Sequence, residues 1–76
     1  MARTFFDIYV KGSPISRYTL MELIEKYNGV WTNGRTLRTN KRNIAKRVKK
    51  ELEKQFPHWV YIDIVNPDTG QTSPIF

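Results

Sequence analysis

The chain contains no cysteine, which excludes a disulfide framework and any metal site that depends on thiolate ligands. It has no apolar run of the roughly 18–20 residues that a membrane-spanning helix needs, and its N-terminus shows no signal-peptide pattern. We therefore expect a soluble, cytoplasmic protein with no membrane partner. Lys and Arg are absent after Lys54, so the positive charge is concentrated in one part of the chain.

A chain of 76 residues is too short for two hydrophobic cores, and we expect residues 1–76 to form a single small domain. Hydrophobic residues make up 39% of the sequence and aromatic residues 13%, which is typical of a folded globule. The net charge is +6, and nine of the 13 basic residues lie between residues 35 and 54. A partner of opposite charge is therefore expected at that segment.

The first half of the chain predicts a strand, a helix and a hairpin. Residues 4–10 are rich in aromatic and β-branched side chains and indicate a strand. Thr19 and Glu22 match a capping box, which predicts a helix with Thr19 as its N-cap. The pair Asn28-Gly29 predicts a left-handed end to that helix. The pair Asn33-Gly34 predicts a two-residue type I′ turn between two short strands.

The second half predicts another helix from about Asn40 to Phe56 and a strand over residues 59–65. A tight turn over residues 66–70 follows, and the tail is expected to add a short edge strand before Pro74. The order β-α-β-β-α-β predicts an α+β domain of the ferredoxin-like (split βαβ) type, with two helices on one face of a four-stranded antiparallel sheet. A winged-helix-like fold is the alternative, with the second helix as the recognition helix and the hairpin at 66–70 as the wing.

The second helix is predicted to have a basic outer face, because its apolar residues recur every four positions and share one sector: Ile44, Val48, Leu52 and Phe56. Like charges four residues apart, such as Lys46 and Lys50, repel each other mildly. Lys41 and Arg42 lie in the first turn, where the helix dipole favours acidic groups by about 0.3–1 kcal/mol. Bound phosphates would relieve both effects. We therefore predict a weakly sequence-specific DNA or RNA site that contacts phosphates through Arg35, Arg38, Lys41, Arg42, Lys46, Arg47 and Lys50.

A simpler interpretation of this charge is a lysine-rich helix whose cations are only hydrated. The charged residues on the outer face of this helix are all basic except Glu53. This single sign favours a polyanion site, and so do the cations in the first turn, which oppose the helix dipole.

Strand alternation predicts an aromatic face on the side of the sheet that the helices leave open. This face would carry Asp7 and Asp63 among the aromatic residues Phe5, Tyr9, Trp59 and Tyr61. Such a face can stack unpaired bases or form a protein interface, and the sequence leaves both possibilities open.

Signs of catalysis are few. Asp7 and Asp63 are expected on neighbouring strands, but no third metal ligand is evident and His58 has no visible catalytic partner. The sequence contains no Gly-rich phosphate loop, serine nucleophile motif or zinc spacing. We predict no enzymatic activity, no metal site and no cofactor.

The alternative function is that of a small regulator, of the kind that phages and mobile elements encode, which binds and modulates a host protein. It would bind an acidic protein through the basic helix, or an apolar surface through the aromatic face. The sequence leaves open the choice between DNA and RNA and the oligomeric state.

Overall fold

Five strands and two helices make up the chain in the computed structural model, which describes residues 4–66 and 71–75. In chain order they are β1 (Phe5–Val10), α1 (Arg17–Lys26), β2 (Val30–Asn33), β3 (Thr36–Thr39), α2 (Arg42–Glu53), β4 (Val60–Asn66) and β5 (Gln71–Ile75). Neither helix is long and apolar enough to cross a membrane, a finding that covers the described residues.

The strands form one sheet in the order β2-β3-β1-β4-β5, and all neighbouring pairs are antiparallel. The predicted α+β class, with an antiparallel sheet and two helices, is confirmed. The expected edge strand is also present, since β5 pairs with β4 and includes Pro74. The winged-helix alternative is not supported, because β5 continues the main sheet and α2 packs on β1, β3 and β4. Residues 67–70 of the predicted turn lie outside the described residues.

The hydrophobic core lies between the two helices and one face of the sheet. Inward and outward residues alternate along β1, because successive side chains of a strand point to opposite faces. Both helices contribute to the same core cluster, which places them on the same side of the sheet. The buried residues of these elements are Phe6, Ile8 and Val10 in β1, Leu37 in β3, Val60 and Ile62 in β4, Leu20 and Leu23 in α1, and Ala45, Val48 and Leu52 in α2.

Helix α2 is shorter than the pattern predicts. It ends at Glu53, and the amides of Gln55 and Phe56 both donate to the carbonyl of Leu52 in the turn that follows. Ile44 and Phe56, at the two ends of the predicted apolar stripe, are only partly buried, whereas Ala45 is buried. The side of α2 that faces the core is therefore rotated slightly towards Ala45.

Helix α1 begins before the predicted N-cap. Ser16 occupies the N-cap position, and its Oγ accepts a hydrogen bond of 3.2 Å from the amide of Thr19. Thr19 therefore lies inside the helix, and the capping-box prediction is wrong because a better-placed serine precedes it. The helix ends at Lys26, and Gly29 has the expected positive φ, +85°.

The β2–β3 hairpin has a different register from the one expected. Asn33 pairs with Thr36, so the two-residue loop is Gly34-Arg35 rather than Asn33-Gly34. Gly34 has φ +70°, while neither Asn33 nor Arg35 has a positive φ. A glycine with positive φ at the first loop position is the pattern of a type II′ turn, not type I′. The hydroxyl of Thr36 donates to the carbonyl of Asn33 over 2.8 Å and supports this loop.

This register predicts opposite outcomes for two neighbouring substitutions. Gly34→Ala should lower the free energy of unfolding by about 1–2 kcal/mol, because the positive φ disfavours any residue with a Cβ. An added methyl would meet no atom within 4 Å, so the loss would be conformational. Asn33→Thr should leave stability within about 0.5 kcal/mol, because Asn33 is an exposed strand residue. Urea unfolding measures both, and a larger loss in Asn33→Thr would contradict the register.

Candidate functional site

Five of the predicted cations form a group on the outer side of α2. Lys41, Arg42, Lys46, Arg47 and Lys50 are all exposed, and we call them the basic patch. None of the five has an ion-pair partner in the part of the chain that the structure describes. Their positive charges are therefore not compensated by any ion pair among residues 4–66 and 71–75.

The two acidic side chains of α2 are both engaged with cations outside the basic patch. Glu51 turns towards α1, where it lies 2.8 Å from the ammonium of Lys26, and Lys54 lies 3.7 Å away. The hydrogen bond from Lys26 holds the pKa of Glu51 below its ordinary value. Glu53 pairs with Lys49 over 3.0 Å. The two carboxylates of α2 are thus paired with other cations and do not neutralise the patch.

The N-terminus of α2 adds further positive potential to the basic patch. Its N-cap is Lys41, no side chain caps the helix, and the first turn contains no acidic residue. The amide of Lys41 itself donates to the hydroxyl of the buried Thr39 over 3.2 Å. The unsatisfied amides of a first helical turn carry partial positive charge. This charge lies beside Lys41 and Arg42 and has the same sign.

The structure does not bring Arg35 and Arg38 to the basic patch, although both were predicted to contact phosphates with it. Arg38 lies on the opposite face of the sheet, where its Nε and Nη2 donate to the two carboxylate oxygens of Asp7 over 2.6 and 2.9 Å. Arg35 lies in the hairpin loop, at the other end of β3 from α2, and donates to the carbonyl of Ile15 over 3.2 Å. Their proximity in sequence to α2 was misleading for two reasons. The length of β3 separates Arg35 from α2, and side-chain alternation in β3 points Arg38 away from the face that the helices cover.

A groove runs along the flank of α2 that faces β4, with a volume of about 420 Å³. Its apolar side is formed by Phe6, Ala45 and Ile62. The guanidinium of Arg42 lies over the Phe6 ring, 5.7 Å from the ring centroid. The remaining lining residues are charged and belong to α2: Lys46, Lys49, Lys50 and Glu53. We call this space the groove. The sequence did not reveal it, because helical periodicity identifies a buried stripe but not which of its flanks remains open.

The outer face of the sheet, opposite the helices, carries a row of paired residues. Trp31 lies opposite Arg38, Arg38 opposite Asp7, and Asp7 opposite Asp63. No described helix or strand lies over this face. Trp31 is 40% exposed and was missed by the sequence analysis, although alternation from the buried Val30 would have placed it there.

The aromatic residues of the outer face lie on both sides of this row. The rings of Phe5 and Trp31 meet edge-on with their centroids 5.8 Å apart, and those of Tyr9 and Tyr61 lie 5.9 Å apart. Phe5, Tyr9 and Tyr61 are only half-buried. Trp59 does not belong with them. It precedes β4, and it lines a separate cleft with Val10 and Phe56 at the end of the sheet.

Charges on the outer face are largely balanced within it. Asp7 is held by Arg38, and Asp63 accepts a hydrogen bond from the Tyr9 hydroxyl over 3.4 Å. Burial raises the pKa of Asp63, an effect that the bond from Tyr9 opposes and that neighbouring Asp7 reinforces. Burial and Asp63 likewise raise the pKa of Tyr9. This face therefore offers aromatic surface with little net charge.

Within the described residues, no group of three or more His, Asp or Glu side chains could hold a metal ion. Comparisons of the chain with protein-family models, curated proteins and solved structures find no match. Three surfaces of the described chain therefore bear on function: the basic patch, the groove and the outer face.

The raised pKa of Asp63 predicts a pH-dependent gain from Asp63→Asn. Because the pKa of Asp63 is higher in the folded state than in the unfolded state, ionised Asp63 lowers the free energy of unfolding at neutral pH. This destabilisation disappears as the pH falls through the folded-state pKa towards the unfolded value of about 3.9. Asp63→Asn should therefore raise the melting temperature at pH 7 and have little effect in acid. The matched control, Asp7→Asn, should lower it at pH 7 because it weakens the bond to Arg38. Thermal melts between acid and neutral pH measure both variants. A lower melting temperature for Asp63→Asn at pH 7 would show that ionised Asp63 does not destabilise the fold.

Proposed function

We propose that this protein binds nucleic acid by contacting phosphates through the basic patch, with weak sequence specificity. The observation that carries the proposal is a set of five exposed cations on one helix, none of which has an ion-pair partner among the described residues. Phosphate neutralisation by Lys and Arg dominates non-specific affinity for DNA. A polyanion is thus the class of partner that the patch fits best.

The spacing of the cations supports a repeating anion rather than a single one. Arg42, Lys46 and Lys50 follow each other at four-residue intervals, about 6 Å along the helix axis. Each adjacent pair of cations repels mildly in the free protein, and the attraction of both cations to bound phosphates would offset that repulsion. The open first turn of α2 lies at one end of this row and favours an anion there.

We further propose that the first four strands and the two helices form a ferredoxin-like arrangement, extended by β5. Because β3 is antiparallel to both β1 and β2, strands β1 and β2 run parallel with β3 between them. In the same way β3 and β4 run parallel with β1 between them. Each parallel pair is connected through a helix, which gives two interleaved split βαβ units. The arrangement places α2 across the centre of the sheet with its outer side free.

The proposed function predicts a specific loss of salt-dependent binding when the patch is neutralised. The double variant Lys46→Gln/Lys50→Gln should bind a short DNA more weakly at low salt. The slope of log affinity against log salt should become shallower by about 1.4–1.8, at roughly 0.7–0.9 per phosphate contact. Fluorescence anisotropy of labelled oligonucleotides over a salt series measures both quantities.

The matched control is the double variant Lys11→Gln/Arg17→Gln, which removes the same charge from exposed positions outside the patch. It should retain the slope of the unchanged protein. Equal losses in the two double variants would show that net charge rather than the patch controls binding. No binding by the unchanged protein at low salt would overturn the proposed function.

A second candidate function is the binding and modulation of a host protein through the outer face. The observation that favours it is a nearly neutral aromatic surface that no described element covers, with Trp31 exposed and Phe5, Tyr9 and Tyr61 half-buried. Aromatic residues with few free charges are typical of the centre of protein interfaces. Trp31→Ala should abolish binding to such a partner and leave binding to DNA unchanged.

A further inference from the structure

We propose that the groove accepts an unstacked base, so that the protein prefers single-stranded nucleic acid to duplex. This inference rests on the proposed function, because the phosphates next to that base would be held by the basic patch. It adds a structural feature that binding of phosphates alone does not require. That feature is an apolar cavity lying directly beside the row of cations.

The groove combines two kinds of surface that a nucleotide also combines. Its floor is formed by Phe6, Ala45 and Ile62, core residues that are at most 5% exposed, and its volume is about 420 Å³, which is large enough for one base. Its rim includes Lys46 and Lys50, which belong to the basic patch. A nucleotide bound here would place its base on the apolar side and its phosphate on the rim. The bases of a duplex are stacked inside the helix and cannot reach this surface without being unpaired.

Arg42 connects the two parts of the groove. Its guanidinium lies over the Phe6 ring, with 5.7 Å between the guanidinium carbon and the ring centroid, and it has no ion-pair partner among the described residues. Guanidinium planes stack on bases and also donate to phosphates. Arg42 can therefore contact a base on the apolar side while the neighbouring cations hold the backbone.

Charge complementarity selects the occupant. Of the five charged side chains that line the groove in the described part of the chain, four are cations, and the fifth, Glu53, is paired with Lys49. The free cations lie at one-turn intervals along α2, which fits the repeating charge of a polynucleotide better than an irregular acidic surface. A single strand carries that charge and also exposes bases. Single-stranded nucleic acid is therefore the partner that satisfies both the rim and the apolar side.

Three ligands of equal length separate the contributions of base and phosphate: an oligothymidylate, an abasic strand and a duplex. Anisotropy with the full chain at low salt should show about tenfold tighter binding of the oligothymidylate than of the abasic strand, since one stacked base contributes roughly that factor. The oligothymidylate should also bind more tightly than the duplex. Equal affinity for the oligothymidylate and the abasic strand would overturn the groove proposal while leaving the proposed function intact. Failure of all three to bind would overturn both.

A methyl NMR experiment locates the base directly. The methyl signals of Ile62, in the groove, should shift on addition of oligothymidylate and remain nearly unchanged with the abasic strand. Ile15 is fully buried and lies outside the groove, so its methyl signals serve as the control. Equal shifts of Ile62 with both strands would contradict the proposal.

The variant Ala45→Leu, which adds volume where the core meets the floor of the groove, should lower the affinity for oligothymidylate to that for the abasic strand. Its fold can be checked by circular dichroism, and the ligand comparison on the unchanged protein does not depend on it. An acidic peptide containing leucine serves as the competitor. Displacement of oligothymidylate by an equal concentration of this peptide would overturn the assignment of a base to the groove.

Discussion

The packing of Ala45, Val48 and Leu52 against the sheet determines the orientation of α2 and, with it, the direction in which each cation of that helix points. These three side chains are at most 1% exposed, and α2 contacts β1, β3 and β4. Large-to-small changes at such buried positions typically destabilise a protein by several kcal/mol. The helix therefore cannot rotate to bury its cations or to pair them with the acidic residues of the outer face. The basic patch is held outward by the same contacts that form the core.

The distribution of acidic residues is the second constraint. Glu51 pairs with Lys26 of α1, Glu53 with Lys49 on the same helix, and Asp7 with Arg38 across the sheet. None of these pairs includes a cation of the basic patch. Surface ion pairs contribute little to stability individually. Together, however, these pairs leave a nearly neutral outer face and, among the described residues, a basic patch without ion-pair partners. This division supports two separate binding surfaces, one for a polyanion and one for an apolar partner.

Periodicity in the sequence was sufficient for the class of fold and for the exposed side of α2, because both depend on patterns that repeat within a single element. The placement of Phe5 and Tyr9 on the face away from the helices and the exposed state of Lys46 and Lys50 were predicted on that basis. Features that depend on how elements meet were not predictable. The register of the hairpin depends on which two residues form its loop. A shift of one position makes the loop Gly34-Arg35 instead of the predicted Asn33-Gly34. The separation of Arg38 from the patch depends on which face of the sheet the helices cover and on the pairing of β3 with β1, which brings Arg38 to Asp7. The groove depends on how α2 and β4 lie relative to each other.

The central claim is that α2, rather than the outer face of the sheet, is the nucleic-acid-binding surface. A heteronuclear NMR titration of the full chain with a short single-stranded oligonucleotide at low salt tests it most directly. We predict amide shift changes concentrated at residues 41–50 that reverse on addition of salt, with Tyr9, Trp31 and Tyr61 nearly unaffected. Changes concentrated at those three aromatic residues, with residues 41–50 unchanged, would contradict the account.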